Sequence, residues 1–397
     1  MASTDTGSDA VVVGAGVVGA CCALYLARAG LSVCVVDRGA PATGTTGAGE
    51  GNILVSDKVP GPELSLARRS IVLWRELAEQ LAEPFEFETK GGLVVTHGDG
   101  QLAALNVLAD GQRGAGVAAE PVDGRGLREL EPHLSRAVAG GMFYPEDAQV
   151  QPMLACWGIL RAAEGLGASL VSYTEVQRLD RDRSGAVAGV VTDRGVLAAP
   201  VVVNAAGPWS GELAVGWGTA VPVAPRRGQV LVTEPLGDVV HHKVYDGDYV
   251  GTVTSDDRAG LCSAVVEGTV SGTVLIGSSR EFVAFDRTPN LPMLGEMARR
   301  ALRLFPFLAG VRTLRTYLGF RPSTPDHLPI IGADPTVSGL YHATGHEGAG
   351  IGLAPATGEL LAGLVTGTPS GPVDPSSFAL SRFHIPAGRS SQEVPDV

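Results

Sequence analysis

The sequence predicts an α/β fold in which a parallel-sheet domain, assembled from three separated segments, carries an inserted α+β domain built on an antiparallel sheet. Three observations point there. An uncharged β-branched run over residues 10–13 passes through closely spaced glycines into a helix over 17–29, and a second apolar strand follows over 32–37. The run 201–205, apolar apart from Asn204, is what a parallel sheet covered on both faces demands. From 221 to 279 short alternating strands succeed one another, the pattern of an antiparallel sheet with one wet face.

Taken in order, residues 39–56 form a loop rich in Gly, Thr and Ser. A helix follows over 62–81, where Leu66, Ile71, Leu73, Trp74, Leu77 and Leu81 fall at helical spacing. Residues 85–95 are strand-like and 101–109 helical; LRELEPHL is a short helix interrupted by Pro132, ahead of a strand over 139–144. The span 149–166 is helical, and 169–173, VVTDRG and VLAAPVVVNAAG supply strands of a second βαβ-like stretch. A helix over 291–304 precedes strands over 315–321, 328–332 and 340–343 and a last helix over 352–366. This order assigns residues 10–82, 145–220 and 312–386 to the parallel-sheet domain and 83–144 and 221–311 to the inserted one, with disordered ends at 1–9 and 387–397.

A chain of 397 residues exceeds what one core usually supports, which agrees with two structural regions. The net charge of −12 leaves no broad positive field for phosphate backbones or anionic lipid, so nucleic acid is not expected as a partner. Cys21, Cys22, Cys34, Cys156 and Cys262 form neither CxxC pairs nor an even disulfide framework; no metal site is expected, and the setting reads as reducing and cytoplasmic. Residues 1–9 lack a basic signal-peptide region. Residues 10–27 carry no charge and have the length of a membrane span, but a β-branched run broken by glycines reads as a buried strand turning into a buried helix, so no span is expected.

Gly14-Ala15-Gly16-Val17-Val18-Gly19 is GxGxxG placed directly after a strand and opening a helix, the setting that a dinucleotide fingerprint requires. Gly14 would make the tight turn, Gly16 would let a pyrophosphate approach the backbone, and Gly19 would allow close packing of helix on sheet. The amides of Val17 and Val18 would face the phosphates at the helix N-terminus. Asp37, eighteen residues after Gly19, can accept from ribose hydroxyls; Arg38 beside it would also suit a 2′-phosphate, so these residues alone leave a nicotinamide cofactor open. The loop TGTTGAGEGNI and a second glycine-rich helix start near residue 345 make two widely separated cofactor loops, which suits the longer dinucleotide FAD.

With these segments in view, the chain resembles the FAD-dependent D-amino acid oxidase family, in the group of glycine and sarcosine oxidases, D-hydroxyproline dehydrogenase and the hydrogen cyanide synthase catalytic subunit. The resemblance runs from Val11 to about Pro386 through VVVGAGVVGACCALYLARAG, GTTGAGEGNILVSD, NAAGPWS, LIGSSREFVAFDR, GFRPSTPDHLPIIG and GHEGAGIGLAPATGELLA. It implies a Rossmann-like FAD-binding domain with an inserted substrate domain, and a cofactor run along Thr45, Thr46, Gly51, Asn52 and Ile53. Val176 would touch the adenine end, and Ala206, Gly207 and Trp209 would close the second FAD strand; simple core packing is the alternative for Val176 and Trp209. Gly345, Glu347, Gly348, Gly350 and Ile351 would lead into the last helix, whose positive end would stabilise negative charge on the reduced flavin.

The resemblance assigns Arg321 to the substrate carboxylate, a planar fork matched to a planar anion; an ion pair with Asp326 is the alternative. Relatives with covalent flavin carry a cysteine where this chain has Gly319, so non-covalent FAD is expected, and the second cation of glycine oxidase is replaced by Gly348. His346 is a candidate for flavin or substrate contact or a histidine satisfied by its loop. Tyr245, Tyr249 and Tyr317 are candidate pocket walls. The implied activity is oxidation of the C–N bond of a small amino acid (a D-amino acid, an imino acid, glycine or an N-substituted glycine) by hydride transfer to flavin N5, in which the protein orients the substrate and no base is nominated. Oxygen or an electron-accepting partner would take the electrons, and assembly as a homo- or hetero-oligomer stays open. The rival classes are a flavin monooxygenase or NAD(P)H-dependent flavoenzyme, although no second strand–GxGxxG–helix unit is visible, and an FAD subunit of a multi-subunit dye-linked dehydrogenase.

Overall fold

A computed structural model describes residues 7–247, 260–368 and 371–383; Tyr249, the 387–397 tail and residues 1–6 of the N-terminal segment lie outside them. The first half of the chain runs through β1 (Ala10–Val13), α1 (Val17–Arg28), β2 (Val33–Val36), β3 (Asn52–Ile53), α2 (Pro62–Gln80), β4 (Gly92–Thr96), α3 (Asp99–Gly114), β5 (Glu120–Asp123), α4 (Gly124–Leu130), β6 (Gly140–Tyr144), β7 (Ala148–Gln149), α5 (Pro152–Gly165) and β8 (Ser169–Val171). The second half adds β9 (Val176–Arg181), β10 (Val187–Thr192), β11 (Gly195–Ala198), β12 (Val201–Asn204), α6 (Ser210–Gly216), β13 (Ala224–Thr233), β14 (Lys243–Asp246), β15 (Leu261–Gly268), β16 (Val274–Arg280), α7 (Leu291–Leu304), β17 (Thr313–Ser323), β18 (Ile330–Ala333), β19 (Leu340–Thr344) and α8 (Gly350–Thr366).

Two sheets organise these elements. The first runs β18-β19-β12-β1-β2-β8, parallel except for β18 at its edge. All four residues of β1 and of β2 are buried, because helices cover one face and the β9–β11 sheet packs on the other. Ten of the twelve residues of α1 are buried, so the helix that opens at the GxGxxG turn is a core element, held by α5 and α8. Gly358 makes the α1–α8 crossing close: a Cβ there would stand 2.6 Å from the Cys21 carbonyl oxygen.

The last helix tolerates Pro355 for an identifiable reason. Proline has no amide hydrogen, so the Ile351 carbonyl one turn earlier loses its helical donor. The indole Nε1–H of Trp74 on α2 donates to that oxygen at 3.1 Å. Trp74 therefore ties α2 to the start of α8, where the cofactor loop lies. Residues 347–366 are long and apolar enough to cross a membrane by length and composition, and most of α8 is buried against α1 and α2.

The second sheet runs β17-β13-β16-β15-β14-β4-β6-β5, with α7 covering one face through Leu294, Met297, Ala301 and Leu304. Asn290 caps α7 by accepting from the Met293 amide at 3.1 Å.

Three expectations need correction. The order of elements places 312–386 whole in the parallel-sheet domain, but β17 pairs antiparallel with β13 from Ala224–Ser323 to Thr233–Thr313 and so belongs to the second sheet. A glycine-rich strand pattern fixes strand character, not which sheet receives it. Within the second βαβ-like stretch β8 and β12 do enter the parallel sheet, but VVTDRG and VLAA fall in β10 and β11 of a separate three-stranded antiparallel sheet, β11-β10-β9. The turn 193–194 joins β10 to β11 as a hairpin, which no parallel crossover of that length could do. The inserted sheet is also not wholly antiparallel: β14 runs parallel to β4, where the two separated segments of that domain meet.

Candidate active site

A cleft of about 800 Å³ opens at the carboxyl ends of β1, β2, β12 and β19 and reaches across to β13, β16 and β17 of the second sheet. Ligands of open α/β sheets bind in that crevice, outside the carboxyl ends of the strands. The GxGxxG loop forms its floor. Gly14 sits at φ +115, and a Cβ there would overlap the Ala205 carbonyl; a Cβ on Gly19 would overlap the Gly14 carbonyl. Both positions admit glycine alone, while a Cβ on Gly16 would meet only the Thr46 hydroxyl at 3.2 Å.

Asp37 closes this loop. Its Oδ2 accepts from the Ala15 amide and its Oδ1 from the Gly39 amide, each at 2.7 Å. Further lone pairs stay available to ribose hydroxyls, so one carboxylate both shapes the loop and faces the cleft. Thr46 Oγ1 accepts from the Val17 amide at 3.0 Å, and Thr45 Oγ1 donates to the Phe320 carbonyl at 2.6 Å, tying the cofactor loop to the second sheet. At the outer end the Arg38 guanidinium lies 4.3 Å from the Trp209 ring centroid, and Trp209 stacks on Phe285 at 5.3 Å.

At the inner end three strands and the α8 loop converge on a charged cluster. Arg321 of β17 is half-buried, donates from Nη1 to the Ser279 carbonyl at 2.7 Å, and lies flat over Gly228, whose Cβ would stand 2.5 Å from Cζ. Gly348 is also close, a Cβ there falling 3.4 Å from Nε and 3.6 Å from Cδ. Asp326, the alternative partner for Arg321, is gripped instead by Arg382 at 2.7 Å.

Glu347 sits behind this arginine. It accepts from Arg226 Nη1 at 2.6 Å, with Arg280 Nε at 3.9 Å and His327 Nδ1 at 3.3 Å. Burial opposes its ionisation, but the His327 hydrogen bond and the charges of Arg280, Arg226 and Arg321 outweigh it and hold the carboxyl down to about 2. The folded-state value lies below the unfolded one of about 4.3, so this contribution to stability is complete above the unfolded value and is lost as pH falls toward 2. Arg226 is fully buried, so Glu347→Gln removes the carboxylate paired with a desolvated cation. The variant is expected to lose about 3–5 kcal/mol, read as a fall in Tm at pH 7; an unchanged Tm would show that the pair contributes nothing.

His346 does not present a cation to the cleft. Burial pushes it down to about 3, so the ring is neutral at physiological pH. Thr357 Oγ1 already donates to the Leu353 carbonyl at 3.0 Å, so His346 Nε2, 2.9 Å from that oxygen, carries the proton. The ring thus braces the first turn of α8, the satisfied-histidine alternative, while lining the cleft.

Gly14, Gly16, Val17, Val18, Asp37, Arg38, Thr45, Thr46, Asn52, Val176, Ala206, Gly207, Trp209, Arg321, Glu347, Gly348, Gly350 and Ile351 all line the cleft. Gly51, Ile53 and Gly345 do not. Gly51 is needed because a Cβ would overlap the Val150 carbonyl, Ile53 is a buried core residue, and Gly345 sits at φ +78 with its missing Cβ 2.5 Å from Thr324. Two of the three candidate tyrosines are also displaced. Tyr317 donates to the Gly49 carbonyl at 3.2 Å and Tyr245 hydrogen-bonds Ser56 in the buried core, so both support loops rather than line the wall. Glu50, Gln177, Ser278 and Arg287 line the cleft although the sequence reading singles out none of them as a site residue. Glu50 has one legible signal: it is the sole charge in TGTTGAGEGNI.

Residues 9–364 match the family described as DAO, FAD dependent oxidoreductase. The chain belongs to this family. The DAO-family chain is 30% identical to hydrogen cyanide synthase subunit HcnC of Pseudomonas aeruginosa over 94% of its own length and 96% of that protein. It is 31% identical to glycine oxidase of Geobacillus kaustophilus over 95% and 97%. The crystal structure of that glycine oxidase superposes with a TM-score of 0.85 at 27% identity, covering 95% of this chain and 99% of that one. L-proline dehydrogenase of P. horikoshii gives 0.86 at 26% identity, covering 95% and 98%.

The residues present fit the family's cofactor. The cleft lies near the upper end of the volume range of small-molecule sites. It runs from the ribose-type acceptor Asp37 past a helix N-terminus with two glycines to the start of α8. Gly319 admits no side chain, since a Cβ would stand 2.5 Å from the Ala48 Cβ, and no cysteine is among the cleft's described residues, so FAD is held without a thioether link.

Proposed function

We propose that this DAO-family oxidoreductase oxidises the C–N bond of a small α-amino acid, with Arg321 binding the substrate carboxylate. The observation that carries this reading is the arginine's placement: a guanidinium lining the inner end of the cleft, in contact with the glycine at 228, close to the glycine at 348, and with Nη1 donating to the Ser279 carbonyl. Bound FAD would supply the two-electron oxidation. The chain's own residues supply orientation. The Arg321 fork would fix a carboxylate in one plane, and the absence of side chains at Gly228 and Gly348 keeps that fork uncrowded. The names of the glycine oxidase and proline dehydrogenase relatives support a substrate of this class.

Anaerobic titration of the purified flavoprotein with glycine, sarcosine, D-alanine, L-proline and D-proline is expected to bleach the flavin absorbance with at least one of them, and NADPH is expected to leave it unchanged. Bleaching by NADPH alone would sink the reading, as would equal reduction by ethylamine, which lacks the carboxylate. A second reading, an FAD subunit that passes electrons to a partner, is favoured by a relative named as a synthase subunit. A peroxide assay during aerobic turnover separates the two acceptors.

A further inference from the structure

We infer that Arg287, on the loop between β16 and α7, binds the diphosphate of the dinucleotide together with Arg38 and so ties the inserted domain to the cofactor. The need for such a residue shows in the GxGxxG turn itself. Three of its amides are engaged within the protein: Gly14 donates to the Val36 carbonyl at 2.8 Å, Ala15 to Asp37 Oδ2 at 2.7 Å and Val17 to Thr46 Oγ1 at 3.0 Å. The N-terminus of α1 adds about half a positive charge, whereas a dinucleotide carries a negative charge on each of its two phosphates. Full cations among the described lining residues are Arg38, Arg287 and Arg321; no lysine is among them, and His346 is neutral. Arg321 lies at the inner end. The guanidinium groups of Arg38 and Arg287 make no hydrogen bond or ion pair among the described residues, and Arg38 rests against the Trp209 ring.

The loop that carries Arg287 is fixed on both sides of it. Arg227, buried on β13, donates from Nη1 to the Asp286 carbonyl at 3.1 Å, to Asp286 Oδ2 at 3.2 Å and to the Thr288 carbonyl at 2.7 Å, and from Nη2 to Glu281 at 3.1 Å. Two residues before Arg287, Phe285 stacks on Trp209 with planes 3° apart and meets Phe320 edge-on at 5.2 Å. Trp209 also lies 3.6 Å from where a Cβ of Gly44 would stand, on the cofactor loop. The stack therefore joins the loop after β2, which carries Arg38, to the loop after β16, which carries Arg287. With its backbone clamped and its side chain exposed on the cleft wall, Arg287 is presented to a ligand with little ordering left to do.

A guanidinium matches phosphate oxygens with two parallel N–H donors. Because Arg287 is exposed, its attraction for a phosphate is screened by salt, whereas adenine and ribose contacts are not. The inference rests on the family's FAD and is independent of the substrate proposed above.

Release of FAD from the full-length holoprotein on dilution, followed by the return of flavin fluorescence, gives Kd for the wild type, Arg287→Gln and Arg287→Lys. The glutamine variant is expected to hold FAD about tenfold less tightly, and lysine, which keeps the charge but not the fork, to recover part of the loss. Raising NaCl from about 0.05 to about 0.5 M should weaken the wild type more than Arg287→Gln, since the contact removed is the screened one. When FAD rebinds to flavin-free protein, ADP, which carries the diphosphate, should compete about tenfold less well in Arg287→Gln. Adenosine should compete equally in both proteins. An FAD Kd within about twofold of wild type in Arg287→Gln would overturn the assignment. Equal weakening of ADP and adenosine, or an undiminished salt dependence, would overturn it by removing the phosphate from the contact. A fall in the Tm of the flavin-free variant that tracks the loss of affinity would also overturn it, by showing that the residue maintains the fold instead.

Discussion

Replacing Arg321 with methionine should lower kcat/KM for the reducing amino acid by roughly 30- to 3,000-fold, the equivalent of about 2–5 kcal/mol for removing one partner of a desolvated charge pair. The structure makes the loss specific. Arg321 lies on β17 opposite Arg226 of β13; Arg226 hydrogen-bonds Glu347, whereas Arg321 lines the cleft beside Gly228 and Gly348, where the proposed substrate carboxylate would sit. Methionine fills the volume of the arginine stem without its charge, so flavin content should persist. Arg321→Lys retains a charge but replaces the planar fork by a single point donor, and a lysine that recovers only part of the activity would identify bidentate geometry as the source of the effect. An Arg321→Met enzyme with wild-type kcat/KM and full flavin content would remove this residue from the substrate site.

Gly14→Ala should yield protein that folds poorly and purifies without FAD. Two penalties coincide at this position. A φ of +115 is strained for any residue with a Cβ, and the new methyl would overlap the Ala205 carbonyl on the neighbouring strand. Strain and overpacking each cost about 1–3 kcal/mol, a large share of the about 5–15 kcal/mol that keeps a domain folded. Gly16→Ala provides the contrast, because its Cβ would meet only the Thr46 hydroxyl at 3.2 Å. That variant should keep a near-native Tm and show its defect in the flavin-to-protein absorbance ratio. Full flavin content and wild-type Tm in Gly14→Ala would contradict the reading of this turn.

The nucleotide-binding unit was legible because its signals are local. Glycines at 14, 16 and 19, at the junction of a fully apolar strand and a helix whose one charged residue is Arg28, leave one arrangement in which the backbone can turn and pack, and the structure has it, down to the boundaries of β1. The helix over 291–304 was equally clear, and the structure gives it the same bounds, with Asn290 as its cap. Arg321 was identified by resemblance alone; nothing local distinguishes it from Arg226 or Arg280.

What the sequence determined by itself, then, is the dinucleotide turn, the existence and kind of the long elements, and the family through linked segments. Tertiary structure decided which sheet receives β17, that β9–β11 form a hairpin sheet, and that Gly51, Gly345, Tyr245 and Tyr317 brace the site from behind. It also brought Glu50 to the cleft beside Arg321 from a position 271 residues earlier in the chain. The physical reason is common to all of these. Pairing register, close approach of backbones and the charge environment of a buried carboxylate depend on residues far apart in sequence, and no local pattern records which of them meet.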